Sequence, residues 1–465
     1  MKKMLDVKNP ATGEVIESIA LDTAEELEQK VETAWAAQPE WEKKHINERA
    51  GILFDFLNNI EAHKHEIGEL LAKEMAKPVN SGTGECVDAP EIGRGYVERA
   101  KHLYGEVLTG TTADRELDLV FTRREALGVV VGIIPFNYPV EMTIQKSIPA
   151  MIMGNTIIVK APSSNPLTVR RLVELAHESG VPEGVMQFTA CERTLCTEHL
   201  LKNPKVAAIG LTGSTEAGID MIKNGADTVK RVFLELGGND PFIICEDADI
   251  ETAVQSALEG RLYNNGQVCC ATKRFLVHKN IKDAVVDGLK KKLAALRHGS
   301  ALDPQSQITC LVTEEAAVKV EAQIKKTVEQ GGKIVYGGTR EGAYICPTII
   351  DDVPADADVA KDMEIFGPVY PIIPFETEEE AIAIANQTKY GLSSGVLSSD
   401  TIKAFNIADQ LQASAVVVNG QSTYRSNEQP FGGCKASGIG YEGVASSLEE
   451  YSRIKTYILK GAFVK

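Results

Sequence analysis

The chain has 465 residues, of which 43% are hydrophobic and 25% charged. That is the composition of a folded globular protein too long for one ordinary core, so two large domains are expected. Its formal charge of −16 argues against nucleic acid or an anionic membrane surface as a partner, because both are met by clustered Lys and Arg.

In chain order, no apolar run follows the two lysines of Met1-Lys2-Lys3-Met4, so no signal peptide is expected. Asn9-Pro10-Ala11-Thr12-Gly13 reads as the turn of a short hairpin. Thr23-Ala24-Glu25-Glu26 is a capping box, with Leu27, Val31 and Ala34 following at helical spacing. A second helix starts near Asn47 and carries Leu53, Phe56, Leu57 and Ile60. Both helices, polar on one face, read as scaffold. From Leu127 strands and helices alternate: strands at Gly128 to Ile134, Gly154 to Lys160 and Val206 to Leu211, with a helix from Pro166 to Ser179 stopped by Gly180. Continuous apolar strands in such alternation predict a doubly wound parallel sheet in an α/β protein. The longest apolar run, around Gly128 to Pro135, is too short to cross a bilayer. A second series follows Gly238, with helices around Val254 to Leu258, Val285 to Leu296, Glu315 to Gln330 and after Thr377. The tail from Tyr451 alternates apolar and polar residues and reads as a strand that could join another subunit's sheet.

Nine cysteines lie scattered without CxxC pairs, and eight histidines lack ligand spacing. Neither a disulfide framework nor a metal site is expected, and a cytoplasmic protein is. The stretch Gly266-Gln267-Val268-Cys269-Cys270 needs partners elsewhere before either thiol counts as reactive, since free cysteines are commonly buried and inert. Candidates exist. Phe233-Leu234-Glu235-Leu236-Gly237-Gly238 ends an apolar strand on a carboxylate, where apolar neighbours would raise its pKa as for a general base. Pro135-Phe136-Asn137-Tyr138-Pro139 follows another strand, and its Asn137 amide could cap a turn or donate to an oxyanion. Thr212-Gly213-Ser214-Thr215 joins a strand to a helix, a setting that suits a phosphate and equally a plain turn.

With Lys160, Glu364-Ile365-Phe366-Gly367-Pro368 and Pro430-Phe431-Gly432-Gly433, these motifs resemble, in family order and over essentially the whole chain, the NAD(P)-dependent aldehyde dehydrogenase superfamily. The resemblance implies an NAD(P)-binding domain of residues 1–106 and 127–237, and a cysteine-bearing catalytic domain of residues 238–445. A β oligomerisation arm of residues 107–126 and 446–465, including Glu116 to Arg124, would build a homodimer or homotetramer. It implies Cys269 as nucleophile, Asn137 with the Cys269 N–H as oxyanion donors, and Glu235 as the base that hydrolyses a thioester. The carboxylate and the oxidised cofactor's positive charge would stand in for the missing histidine. NAD or NADP would be held by Ile134, Pro135, Phe136, Lys160, Ser163, Gly213, Ser214, Leu236, Gly237, Glu364 and Phe366. Many NAD-preferring members carry Glu where this chain has Ser163, so NADP is expected to be accepted.

Glu235 to Phe242 and Lys273-Arg274 most resemble succinate-semialdehyde dehydrogenases, and Arg425 sits where lactaldehyde-type members carry a cation. A small anionic semialdehyde held by Arg425, beside Tyr138, is therefore the expected substrate; lactaldehyde, glyceraldehyde 3-phosphate or another hydroxyaldehyde is the alternative. A CoA-acylating member generally lacks the base, and a non-catalytic protein would not fill every position. Cys270 is read as an inert core thiol.

Overall fold

The computed structural model describes residues 2–108, 115 and 117–463. The hairpin of Met4–Lys8 and Val15–Ala20 leads into helix α1 (Ala24–Lys43), where Thr23 and Glu26 form the reciprocal cap expected from the sequence. Next come α2 (Ile46–Ala62), α3 (Lys64–Met75) and α4 (Val79–Ala100). Helix α4 was not expected from the sequence, for it contains Gly82, Gly84, Gly93, Gly95 and Pro90. Its glycines permit close packing instead: a Cβ on Gly93 would lie 2.5 Å from Leu57 Cδ2, and one on Gly82 would lie 3.2 Å from the Gly68 backbone.

Six strands form the first sheet, in the order Gly438–Ile439, Arg231–Glu235, Val206–Thr212, Val129–Ile133, Thr156–Lys160 and Met186–Thr189. All neighbours are parallel except the first pair. Val130, Ile157 and Val159 pack into one core, and Val129, Val131 and Ile158 into another on the opposite face. Side chains alternate across a strand, so burying both faces demands the continuous apolar runs seen in the sequence. Helices α5 (Pro139–Ile152) and α6 (Pro166–Glu178) cover this sheet. The second sheet has seven strands, ordered Lys333–Tyr336, Thr348–Asp351, Val369–Phe375, Thr272–His278, Asp240–Ile244, Ser393–Leu397 and Ala415–Val418, and only its first pair is antiparallel.

Gly438–Ile439 lies within the stretch expected in the second domain, yet it extends the first sheet. The tail strand Ser452–Leu459 pairs along its length with Leu119–Ala126 of its own chain, which pairs in turn with Val107–Leu108. Of the expected arm, Glu116, residues 109–114 and the last two residues lie outside the described residues. Among the described residues no helix is long and apolar enough to cross a membrane.

Candidate active site

Parallel pairing brings the carboxyl ends of four strands to one edge. Ile133 is level with Lys160 on one side and Leu211 on the other, and Thr212 with Glu235. Chain order reverses at Val129–Ile133, the switch point where doubly wound sheets open a crevice for ligands. Ile134, Pro135 and Phe136 leave this strand, and Asn165 Nδ2 donates to Phe136 O at 2.8 Å. Ser214 opens the helix Thr215–Gly225 and spends its hydroxyl accepting from Ala217 N at 3.2 Å. Ser163 is exposed beyond Lys160.

Glu364 and Phe366 reach this edge from the second sheet's side. A Cβ on Gly237 would lie 2.4 Å from Glu364 Oε2, so only glycine admits that carboxylate so near the strand end. Glu364 also accepts from Gly238 N at 3.3 Å, and Phe366 meets Phe136 edge to face at 5.9 Å. A glycine-lined cradle, a helix N-terminus, an aromatic wall and a carboxylate for sugar hydroxyls fit a dinucleotide.

The cysteine loop is reached through a strained approach. Asn264, Asn265 and Gly266 take φ of 46°, 55° and 79°, all left-handed, and a Cβ on Gly266 would lie 2.4 Å from Gly367 O. Asn is among the few residues that tolerate this region, and strain of this kind collects at functional sites. Asn265 is held by Thr309, accepting from its N–H at 3.0 Å. Beyond the turn, Cys269 is partly exposed and Cys270 is buried.

Cys269, Asn137 and Tyr138 line one cavity of about 490 Å³ together with Glu141, Arg425 and Phe431. Asn137 Nδ2 donates to Gln267 O at 2.9 Å, which leaves its second N–H free for a ligand and ties the two loops together. Glu235 neighbours Cys269 and is buried, with Oε1 lacking a hydrogen-bond partner. Burial, then the neighbouring Cys269 and Glu442, push its carboxyl well above the usual range, while Lys146 draws it down. The Cys269 thiol is likewise raised, by hydrogen bonding with Cys270 and by burial, and is lowered by Lys273. Both shifts favour the neutral form of the group.

Two ammonium groups flank this pair, and the sequence reading missed both roles. Lys146 Nζ donates to Thr212 Oγ1 at 2.7 Å and to Glu442 Oε1 at 3.1 Å. Lys273, wholly buried, donates to Cys269 O and lies 3.3 Å from Glu364 Oε1. The available signal was Lys146, the one basic residue of the helix Pro139–Ile152. Arg274, expected to mark the substrate class, instead gives its guanidinium to the carbonyls of Asn239, Ala360, Ile384 and Ala385 inside the fold.

Arg425 faces the cavity with a side chain 20% exposed, so it is no ordinary surface-loop cation. It is not free either. Its guanidinium donates to Glu141 Oε1 at 3.2 Å, Gln145 Oε1 at 3.0 Å and Glu442 Oε2 at 3.3 Å, and lies 4.1 Å from the Phe431 ring centroid.

This fold and this cleft define a dinucleotide-dependent oxidoreductase. Residues 1–457 match the aldehyde dehydrogenase family model, and the chain belongs to that family. It is an NAD(P)-dependent aldehyde oxidoreductase. It is 36% identical to the NADP succinate-semialdehyde dehydrogenase of Escherichia coli, over 97% of this chain and 93% of that one. A lactaldehyde dehydrogenase of Methanococcus aeolicus is 33% identical, over 98% and 97%. The structure of glyceraldehyde-3-phosphate dehydrogenase from Methanocaldococcus jannaschii, complexed with NADP, superposes with a TM-score of 0.94 at 34% identity, covering 99% of each chain.

Proposed function

We propose that the protein oxidises a short aldehyde to its carboxylic acid with water as the acyl acceptor, through a thioester on Cys269. The Cys269 thiol releases its proton to water, the thiolate sulfur adds to the carbonyl carbon, and the resulting oxyanion is held by the second Asn137 N–H and the Cys269 backbone N–H. A preorganised donor of this kind is worth on the order of 100- to 1000-fold in rate. A nicotinamide held beside Glu364 and Phe366 would supply the acceptor for the aldehyde hydrogen as hydride and a positive charge that favours the thiolate. Glu235 then takes a proton from water as the water oxygen attacks the thioester carbonyl, and the C–S bond breaks to return the thiolate. Lys146 and Glu442, bonded to each other beside Glu235, offer the proton a route away. The observation that carries the reading is that Cys269 and Asn137 share one cavity, with the buried carboxyl of Glu235 near enough to Cys269 for each to shift the other's pKa. Replacement Cys269→Ser is expected to abolish aldehyde-dependent cofactor reduction, and steady turnover in that variant would refute the assignment.

NADP is proposed as an accepted cofactor, because Ser163 presents no carboxylate to a 2′-phosphate. A CoA-acylating activity is opposed by Glu235, which equips the chain for water. For the substrate, an anionic semialdehyde is supported by Arg425 on the cavity wall and by semialdehyde-oxidising relatives. A second reading, a neutral hydroxyaldehyde, is supported by the charges around that arginine. Glu141 and Glu442 already offset it, and Asp88, Glu91 and Glu259 add further carboxylates to the lining. Comparing kcat/KM for succinate semialdehyde and lactaldehyde separates the two. The three-stranded arm, whose Ser452–Leu459 strand lies at a sheet edge, is the proposed surface for dimer formation.

A further inference from the structure

The junction between helices α3 and α4 sends two charges under the loop that carries Asn137. Lys77 follows α3 directly, after Ala76 ends that helix in the left-handed region at φ 56°. Its side chain is 1% exposed, and that of Glu85, on α4, 2%. Lys77 Nζ lies 2.5 Å from Glu85 Oε2, donates to Asn137 O at 3.0 Å and sits 3.5 Å from the centroid of the Tyr138 ring. The other oxygen, Glu85 Oε1, accepts the N–H groups of Val140 at 2.8 Å and Glu141 at 3.0 Å. Those are unpaired donors of the first turn of α5, where the helix dipole favours a carboxylate. Asn264, from the strained turn before Cys269, donates to the same Asn137 oxygen at 3.1 Å.

A buried ion pair is poor evidence for stability, because desolvating both charges offsets most of their attraction. Here each partner spends its remaining capacity on the loop: the ammonium on the carbonyl of Asn137 and the face of Tyr138, the carboxylate on the two amides just past Pro139. Asn137 is thus fixed from behind by its carbonyl while its amide is aimed at Gln267 O and the cavity. We infer that Lys77 and Glu85 are positioning residues for the oxyanion donor, setting the Asn137 amide against the Cys269 sulfur. This rests on the proposed role of Asn137 and goes beyond it, since neither charge lines the cavity.

Lys77→Met alone would strand a buried carboxylate and could simply unfold the protein. Lys77→Met/Glu85→Gln removes both charges together and leaves an amide oxygen for the Val140 and Glu141 N–H groups. The measurements are the first-turnover burst of reduced cofactor, the Kd for NADP, and the rate at which iodoacetamide alkylates Cys269, which needs no oxyanion donor. The double variant is expected to lose about 10- to 100-fold in burst rate, part of what a lost donor costs. NADP Kd and alkylation rate stay within twofold of the unaltered enzyme. In an Asn137→Ala background the same double change is expected to cost less than twofold, because groups that act through one another are not additive. A burst rate within twofold of the unaltered enzyme overturns the inference, as does an equal loss in the Asn137→Ala background. Lost NADP binding overturns it too, since the pair would then hold the fold and not the loop. If Asn137→Ala itself leaves the burst unchanged, the proposed role of Asn137 fails and not the clamp alone.

Discussion

Glu141→Gln tests how the cavity reads charge. Glu141 stands on α5, where its Oε1 accepts from Gln145 Nε2 at 2.7 Å and from Arg425 Nη1 at 3.2 Å. Burial and the nearby carboxylates raise its pKa, while Arg425 draws it down. A substrate carboxylate reaching the unused N–H groups of Arg425 would lie roughly 7 Å from Glu141 across the guanidinium. At an effective dielectric of about 20 that repulsion is about 2 kcal/mol. Partial solvent access reduces it, and about tenfold in rate remains. Glutamine keeps the oxygen that Gln145 and Arg425 bond to, so the local geometry survives. The assay is kcat/KM from reduced-cofactor absorbance, with succinate semialdehyde and with neutral lactaldehyde. The ratio is expected to move about tenfold toward succinate semialdehyde, almost wholly through the charged substrate. An unchanged ratio, or an equal fall for both aldehydes, would refute the electrostatic reasoning and leave Glu141 as a packing residue.

Ser163→Glu should restore a carboxylate beside the ribose and weaken NADP relative to NAD on the order of 100-fold in kcat/KM, from Coulomb repulsion of a 2′-phosphate; an unchanged ratio would place the phosphate elsewhere. The raised pKa of Glu235 fixes a pH dependence. Below that pKa the carboxyl is protonated and cannot accept from water, so steady turnover should fall as pH drops, while the first turnover slows but still releases one equivalent of reduced cofactor per subunit. A first-turnover amplitude that declines with the steady rate would contradict this.

Much of the architecture was legible because burial on both faces writes itself into sequence: the runs Val129 to Val131 and Ile157 to Val159 could only be central strands. The capping box at Thr23 and the turn at Asn9 to Gly13 were equally local. Helix α4 was hidden because its glycines serve packing against α2 and α3, which helix propensity does not record. The tail strand's rhythm was readable, but not its partner, since period-two patterning gives a strand no address. At the site, Cys269, Glu235 and Asn137 stood in motifs, and the fold sets Cys269 and Asn137 on one cavity. The groups that tune them are joined only by folding. Lys146 and Glu442 are 296 residues apart, and Arg425 and Glu141 are 284 apart. Arg425 shows the consequence: the sequence suggested a cation for an anionic substrate, and only the fold reveals the two carboxylates that already claim it.

The account turns on two residues dividing the reaction between them, and one experiment separates them. Glu235→Gln enzyme mixed with saturating aldehyde and NADP should release one equivalent of reduced cofactor per subunit and then stall. Intact-mass and peptide analysis should find the acyl group on Cys269. Continued turnover at the original rate, or an acyl group on Cys270, would contradict the account.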